Sequence, residues 1–79
     1  MWEIEFSQRA GNYAVDSHPY NEDVLTAIMN LTQSSNGLPN MGNVQQLEEW
    51  CVWEIARHTV VYEIDEFGHM LYIWIIKPL

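Results

Sequence analysis

The chain has very few basic side chains. It contains three Lys and Arg against eleven Asp and Glu, which gives a formal net charge of −8. Nucleic-acid binding normally depends on cations that neutralise phosphate groups. This shortage disfavours a nucleic-acid partner. It favours a basic protein partner, or an acidic surface that serves only to keep the chain in solution.

Cysteine and cofactor motifs are also scarce. Cys51 is the only cysteine, so no internal disulfide can form, and its apolar neighbours predict a small buried side chain. His18, His58 and His69 lack the spacing of metal ligands. The sequence has no Gly-rich phosphate loop and no nucleophile motif. We therefore expect neither a metal nor a cofactor.

Long hydrophobic runs are missing as well. No apolar run reaches the roughly 18 residues that a membrane span requires. The chain opens on an alternating strand rather than a signal peptide, so we expect a cytoplasmic protein without a membrane partner. Its 79 residues suit one domain, residues 1–79, with a small core that a partner or a second copy would help to complete.

The first half of the chain predicts a strand followed by two helices. Residues 2–6 alternate apolar and acidic side chains, which is typical of a strand with one wet face. Ser7 can cap a weaker helix over residues 8–16. A second helix is predicted from about Pro19 to Gln33, where apolar residues recur at helical spacing. Residues 34–43 are rich in Gly, Pro and Asn and predict a flexible loop.

The second half predicts three antiparallel strands after a short helical turn at residues 44–49. The strands are expected at residues 50–55, 58–64 and 70–76. Ala56 and Arg57 form the tight connection between the first two. The turn before the last strand contains Gly68, which can adopt a positive φ. The last strand is apolar on both faces, which predicts a central strand covered on each side. The whole order indicates an α+β fold.

Short sequence words in this order resemble those of a known family. Residues 5–10 read E-F-S-Q-R-A, close to an F-S-x-R-A word at a strand-to-helix junction, and residues 60–65 read V-V-Y-E-I-D, close to V-I-Y-E-I-D. Pro19, followed by apolar residues 24–28, is similar to the start of a second helix in the same pattern. Together these words resemble the RelE/ParE toxin superfamily over nearly the whole chain. The resemblance implies a β-α-α-β-β-β order, with two helices on one mainly antiparallel four-stranded sheet.

The main departure from that family is that most of its basic side chains are missing here. Family members that cleave ribosome-bound mRNA carry Lys or Arg at positions that fall on Val52, Glu54 and Thr59 here. A basic cluster after the last strand is reduced to Lys77. Metal-free RNA cleavage needs a base, an acid and cations that stabilise charge on the phosphate. The resemblance therefore implies a degenerate or inactive member.

Three residues remain as candidates for catalysis if the chain is active. Arg57 and His58 adjoin at a tight connection, where His58 could serve as a general base, and Lys77 follows the last strand. We favour a plainer interpretation of each. Arg57 is then a turn residue, His58 a packed strand residue and Lys77 a solubilising end residue.

The aromatic residues of the last three strands offer a different kind of site. Trp50, Trp53, Tyr62, Tyr72 and Trp74 lie on neighbouring predicted strands. Most of them are expected to fill the core or to pair across strands. An exposed subset would mark a protein-binding surface, because Trp and Tyr are common interface anchors.

Three functional hypotheses follow. The first is a protein of a toxin–antitoxin type system that lacks ribonuclease activity and binds protein, either a basic antitoxin-like peptide or a second copy of itself. The second is an active ribosome-dependent mRNA interferase with a reduced site of Arg57, His58 and Lys77. The third is a small acidic regulatory module of another kind. The sequence favours the first, which is not an enzyme.

Overall fold

The computed structural model describes residues 1–15 and 20–79. These residues form an α+β fold, as the sequence predicts, with two α-helices, a short 3-10 turn and five β-strands. In chain order they are β1 (Glu3–Phe6), α1 (Gln8–Ala14), α2 (Asn21–Asn30), the 3-10 turn (Leu31–Gln33), β2 (Asn43–Leu47), β3 (Trp50–Ile55), β4 (His58–Asp65) and β5 (Met70–Pro78).

The sheet has five strands and mixed pairing, so the expected four-stranded, mainly antiparallel sheet is wrong in its strand count. The spatial order is β1-β5-β4-β3-β2. β1 runs parallel to β5, and the other three pairs are antiparallel. The parallel pair forms because the chain crosses over through both helices between β1 and the later strands. The predicted interior position of β5 is confirmed.

The additional strand is β2, where a loop end and a short helical turn were predicted. All five of its residues are exposed. They pair with β3 from Leu47 opposite Trp50 to Asn43 opposite Glu54, across the two-residue connection Glu48-Glu49. Because both faces of β2 are exposed to solvent, its sequence shows no alternation of apolar and polar residues. Backbone pairing with β3, rather than side-chain burial, holds it in the sheet.

α1 begins at Gln8, where the sequence predicts it. The Oγ atom of Ser7 accepts a hydrogen bond from the Ala10 N–H at 3.0 Å, which confirms the predicted cap of α1. α2 ends at Asn30, and the chain tightens into the 3-10 turn, so the helix is shorter than predicted. The predicted break at residues 17–19, including the helix start at Pro19, lies outside the described residues.

Buried side chains lie on one face of the sheet. Val24 and Ile28 of α2 and Ala10 of α1 pack there with inward residues of the strands. The opposite face, called the open face below, carries the alternate residues of β3, β4 and β5, which stay half-buried or exposed. The prediction that β5 is covered on each side is therefore wrong. Its outward apolar residues form part of a surface instead.

Three hairpin turns, which connect β2–β3, β3–β4 and β4–β5, place residues other than glycine at positive φ. Ala56 and Arg57 have φ values of 52° and 60°, as a two-residue hairpin of the mirror-image type requires. In the turn before β5 the positive φ belongs to His69, at 54°, and not to Gly68 as predicted. Two contacts hold this turn. The Gly68 N–H donates to Asp65 Oδ1 at 3.1 Å, and the His69 ring stacks on Trp2 at a centroid distance of 4.0 Å.

Candidate functional site

His58, the predicted general base, lies in the core. Its side chain is fully buried. Nδ1 lies 2.6 Å from the carbonyl oxygen of Ala56, and Nε2 lies 2.6 Å from the hydroxyl of Tyr13. A carbonyl oxygen only accepts, so Nδ1 carries a proton and donates to it, while Nε2 shares a hydrogen bond with the Tyr13 hydroxyl. Both ring nitrogens therefore join α1 to the β3–β4 turn.

The other two predicted residues lie apart from His58. The Arg57 guanidinium sits over the Tyr20 ring, 4.6 Å from its centroid. Lys77 pairs with Thr59, and Thr59 directly follows His58 along β4. Successive strand residues point to opposite faces, so Lys77 projects on the open face while His58 projects into the core. The structure does not bring the three side chains together.

One surface contains the three positions where the family resemblance leads us to expect cations. Glu54 pairs directly with Thr59, and Val52 pairs with Val61. The twofold period of a strand places Val52, Glu54 and Thr59 on the same, open face. That face therefore presents valine, a carboxylate and a hydroxyl where phosphate binding would need positive charge.

The open face contains an apolar groove of about 600 Å³. Its lining comes from four strands, from the N-cap of α1 and from the first turn of α1. The lining residues are Ser7, Arg9, Leu47, Trp50, Val52, Val61, Trp74 and Ile75. We call this surface the open-face groove. Arg9 is the only charged residue among them, so the groove is suited to apolar contacts.

Trp74 is the most exposed aromatic side chain of the groove. The register of β4 and β5 shifts between Val61 and Tyr62, because Val61 pairs with Ile75 whereas Tyr62 pairs with Ile73. Trp74 is the extra residue of this bulge. A bulge re-aims the side chain that it carries. As a result Trp74 and Ile75 both line the groove, and 39% of Trp74 is exposed.

Neighbouring groups hold the Trp74 ring in place. Its ring is T-shaped to Trp50, at a centroid distance of 5.8 Å, and stacked with Tyr72 at 5.9 Å. Its indole Nε1 donates to Glu63 Oε1 at 3.0 Å. An aromatic residue that is fixed before binding loses little side-chain entropy in a complex.

One side of the groove is acidic. The pKa of the Tyr72 hydroxyl is raised above its ordinary value, chiefly by a hydrogen bond to Glu5 and then by the charges of Glu5, Asp65 and Glu63. Glu5, Tyr72 and Glu63 lie side by side across β1, β5 and β4. The groove thus combines an aromatic floor with a rim of carboxylates.

A second concavity, of about 510 Å³, lies between α2, residues 34–41 and β3. Its wall is mainly apolar and includes Leu31, Leu38 and Ile55. The indole Nε1 of Trp53 donates to the carbonyl oxygen of Met41 at 2.9 Å, which fixes one side. Among its described lining residues Asp23 is the one titratable group. The cavity therefore offers apolar contact rather than acid–base chemistry.

Sequence reasoning identified part of this site. The sequence predicted that an exposed subset of the strand aromatics would mark a surface, and Trp74 is exposed in the groove. The same reasoning missed Leu47, because β2 was not recognised, and it missed the joint exposure of Trp74 and Ile75. The signal for Leu47 was available, since the pair Glu48-Glu49 separates it from Trp50 by the length of a hairpin turn.

In residues 1–15 and 20–79, no three His, Cys, Asp or Glu side chains lie together in a way that could hold a metal ion. None of the helices in the same residues has the length and apolar character to cross a membrane. Comparison with known proteins found no matching family model, no matching curated protein and no matching solved structure.

Proposed function

We propose that this chain is a RelE/ParE-like protein of a toxin–antitoxin type system that lacks ribonuclease activity and acts by binding protein. One observation carries the proposal. The face where the family resemblance leads one to expect phosphate-binding cations instead forms an apolar, aromatic groove with an acidic rim. The β-α-α order followed by a C-terminal antiparallel meander is compatible with that resemblance.

Electrostatics argue against RNA cleavage at this face. Removing one group that stabilises charge in a transition state typically reduces the rate roughly 100-fold or more. Here Val52 and Thr59 are neutral, and Glu54 would repel a phosphate. His58 is engaged by Tyr13 and by the Ala56 carbonyl on the other side of the sheet. Among the described residues, the open face holds only two cations, Arg9 in the groove and Lys77 opposite Thr59.

The groove has the chemistry of a protein-binding surface. Fixed tryptophans in apolar surroundings are common anchors of protein interfaces. The carboxylates of Glu5 and Glu63 along one side favour a segment with basic residues. The expected partner is therefore a peptide segment of antitoxin type, with apolar side chains toward Trp50 and Trp74 and Lys or Arg toward the rim.

Expression in a bacterial host tests the absence of ribonuclease activity. We expect normal growth and intact ribosome-bound mRNA when the soluble, folded chain is induced, because the open face does not stabilise a charged transition state. His58→Ala and Lys77→Ala variants are expected to grow like the parent chain. Growth arrest that Lys77→Ala relieves would instead support the active interferase with a reduced basic site.

Binding of the product of the adjacent gene tests the protein-binding role. Trp74→Ala should weaken a complex at the groove about tenfold or more, since buried Trp anchors typically contribute at least 1–2 kcal/mol. Phe67→Ala is the matched control, because Phe67 is a fully exposed aromatic residue at the β4–β5 turn and does not line the groove. Titration calorimetry measures both. Equal affinity for the two variants would contradict binding at this face.

A further inference from the structure

The outer edge of β2 is an unprotected edge of the sheet. β2 is the terminal strand of the sheet, opposite in position to β1. An edge strand offers unpaired N–H and C=O groups to any other strand, and proteins usually block such edges with Lys, Pro, a bulge or a covering element. β2 reads N-V-Q-Q-L and pairs with β3 in regular register over its whole length. All five of its residues are exposed, and the strand itself contains none of these devices.

The other edge of the sheet is protected. β1 carries the carboxylates of Glu3 and Glu5. Just before it, the Trp2 N–H donates to the Thr32 carbonyl at 3.1 Å, and the Trp2 indole donates to the Ser34 carbonyl at 3.0 Å. The 3-10 turn thus covers the start of that edge. The difference between the two edges identifies β2 as the side at which the sheet can be extended.

The absence of charge around β2 indicates which kind of strand can pair with it. The sequence contains no Asp, Glu, Lys, Arg or His between Asp23 and Glu48, although the chain as a whole has a net charge of −8. The segment that ends in β2 is therefore an uncharged flank, bordered by Glu48 and Glu49 in the hairpin connection and by Glu54 opposite Asn43. Two copies of this chain repel each other at most approaches, but at this flank they meet without opposed carboxylates. Val44 and Leu47 also expose apolar area there.

We propose that β2 pairs antiparallel with β2 of a second copy, which joins the two sheets into one sheet of a twofold dimer. A twofold axis through Gln45 uses the whole strand. It places Val44 opposite Gln46 of the second copy and Asn43 opposite its Leu47. This is an isologous contact, in which one surface meets itself. It uses the edge of the sheet and leaves the open-face groove accessible, so it does not rest on the proposed function.

The backbone geometry of the β2–β3 hairpin supports this axis. The residues that flank a two-residue hairpin loop form a hydrogen-bonded pair, and such pairs alternate along antiparallel strands. Counting back from Leu47, Gln45 and Asn43 bond to β3. Val44 and Gln46 then direct their N–H and C=O groups outward. In the dimer, each Val44 exchanges two hydrogen bonds with Gln46 of the second copy.

Charge-swap variants at Gln45 test the proposal by sedimentation velocity. The wild-type chain should show a dimer that increases with protein concentration, since a strand-edge interface is small and its affinity modest. Gln45→Lys and Gln45→Glu should each sediment as monomers, because like charges would face each other across the axis. An equimolar mixture of the two variants should recover the dimer. Loss of folding cannot produce that recovery.

Matched controls are Gln33→Lys and Gln33→Glu, which change an exposed glutamine outside β2 by the same charges. Both should dimerise like the wild type. The proposal is overturned if the wild-type chain stays monomeric at all concentrations, if either Gln45 variant dimerises like the wild type, or if the mixture stays monomeric. The proposal is also overturned if β2 pairs with a basic peptide while the chain without peptide is monomeric.

Amide hydrogen exchange of the wild-type chain gives a second test that needs no variant. The Val44 and Gln46 amides should become protected as the protein concentration rises, whereas the Gln45 amide should be equally protected at low and high concentration. Protection of Val44 and Gln46 that does not change with concentration would contradict pairing between copies.

Discussion

At the scale of single residues, Tyr62 joins the strands to the long loop. Its side chain is fully buried, and its hydroxyl donates to the Gly37 carbonyl at 2.9 Å. Cys51 lies opposite Tyr62 on β3. Burial raises the pKa of the Cys51 thiol, and burial followed by the neighbouring Cys51 raises the pKa of the Tyr62 hydroxyl. Both groups are therefore held neutral in the folded protein.

Alkaline pH is expected to destabilise the fold through this pair. Each pKa is higher in the folded than in the unfolded chain, so the unfolded chain releases its protons first. The stabilisation is complete below the ordinary values of 9.0 and 10.0, and it is lost as pH rises beyond them toward the folded values. Urea unfolding followed by Trp fluorescence should show a decline of at most about 1.4 kcal/mol per pH unit for each proton.

Tyr62→Phe isolates the tyrosine contribution. At neutral pH the variant should lose about 1 kcal/mol, because the Gly37 carbonyl loses its donor. Its decline with pH should be shallower than in the wild type, since the Tyr62 hydroxyl no longer titrates. Tyr20→Phe removes an exposed phenol and is the control. An equally steep decline in Tyr62→Phe would contradict this account.

At the scale of elements, the turns of the meander carry backbone strain. Glu48, Ala56, Arg57 and His69 all have positive φ values, which side chains with a Cβ atom adopt at a cost of about 1–2 kcal/mol. The hairpins persist because strand pairing on both sides fixes the length of each connection. β4 and β5 pair over eight positions and β3 and β4 over six.

Replacement of Glu48 by glycine should relieve one of these strains. Glu48→Gly is expected to raise the free energy of unfolding by about 1 kcal/mol, because glycine adopts a φ of 56° without a steric penalty. Glu49→Gly is the matched control. It removes the same charge from the same connection, but Glu49 has no positive φ, so added chain entropy should make it neutral or destabilising. Thermal unfolding by circular dichroism distinguishes the two variants, and equal effects would contradict the strain.

The same elements explain what the sequence could and could not predict. The strands after residue 50 were predictable because Cys51, Trp53 and Val60 alternate with outward residues. β2 had only the two-residue spacing between Leu47 and Trp50 to indicate it, because its own residues lack apolar alternation. The parallel pairing of β1 with β5 was not predictable, since it joins Glu3 to Met70 across most of the chain. Local patterns carry no information about such a contact.

The candidate site was also predictable only in part. The sequence pattern allowed for a tryptophan exposed to a partner, and Trp74 is exposed. The pattern could not separate His58 from Lys77, because the face of a strand residue depends on the register and on a bulge further along the sheet. The pairing of Thr59 with Lys77 is what places these two candidates on opposite sides.

At the scale of the whole molecule, a net charge of −8 is held within a radius of gyration of 11.4 Å. The Debye length is about 30 Å at 0.01 M salt and about 8 Å at 0.15 M. At low salt every carboxylate therefore interacts with most of the others. At the higher salt concentration only near neighbours interact.

Sodium chloride is expected to stabilise the fold over this range. Screening weakens the self-repulsion of the compact state more than that of the unfolded chain. The urea midpoint should rise with salt, and the rise should be smaller in the double variant Glu22→Gln and Glu66→Gln, in which two exposed carboxylates are neutral. Circular dichroism during urea titration measures both. A midpoint that does not change between 0.01 and about 0.15 M salt would contradict this expectation.

The bulge at Trp74 has a consequence for how the gene can change. Tyr72 and Trp74 both face outward, and Ile75 then takes the outward place opposite Val61. Loss of the Trp74 codon alone would leave a strand of regular alternation, with Leu71, Ile73 and Ile76 still in the core. A single in-frame insertion or deletion in the middle of the sheet can therefore add or remove the main aromatic anchor, without a frameshift and without disturbing the core.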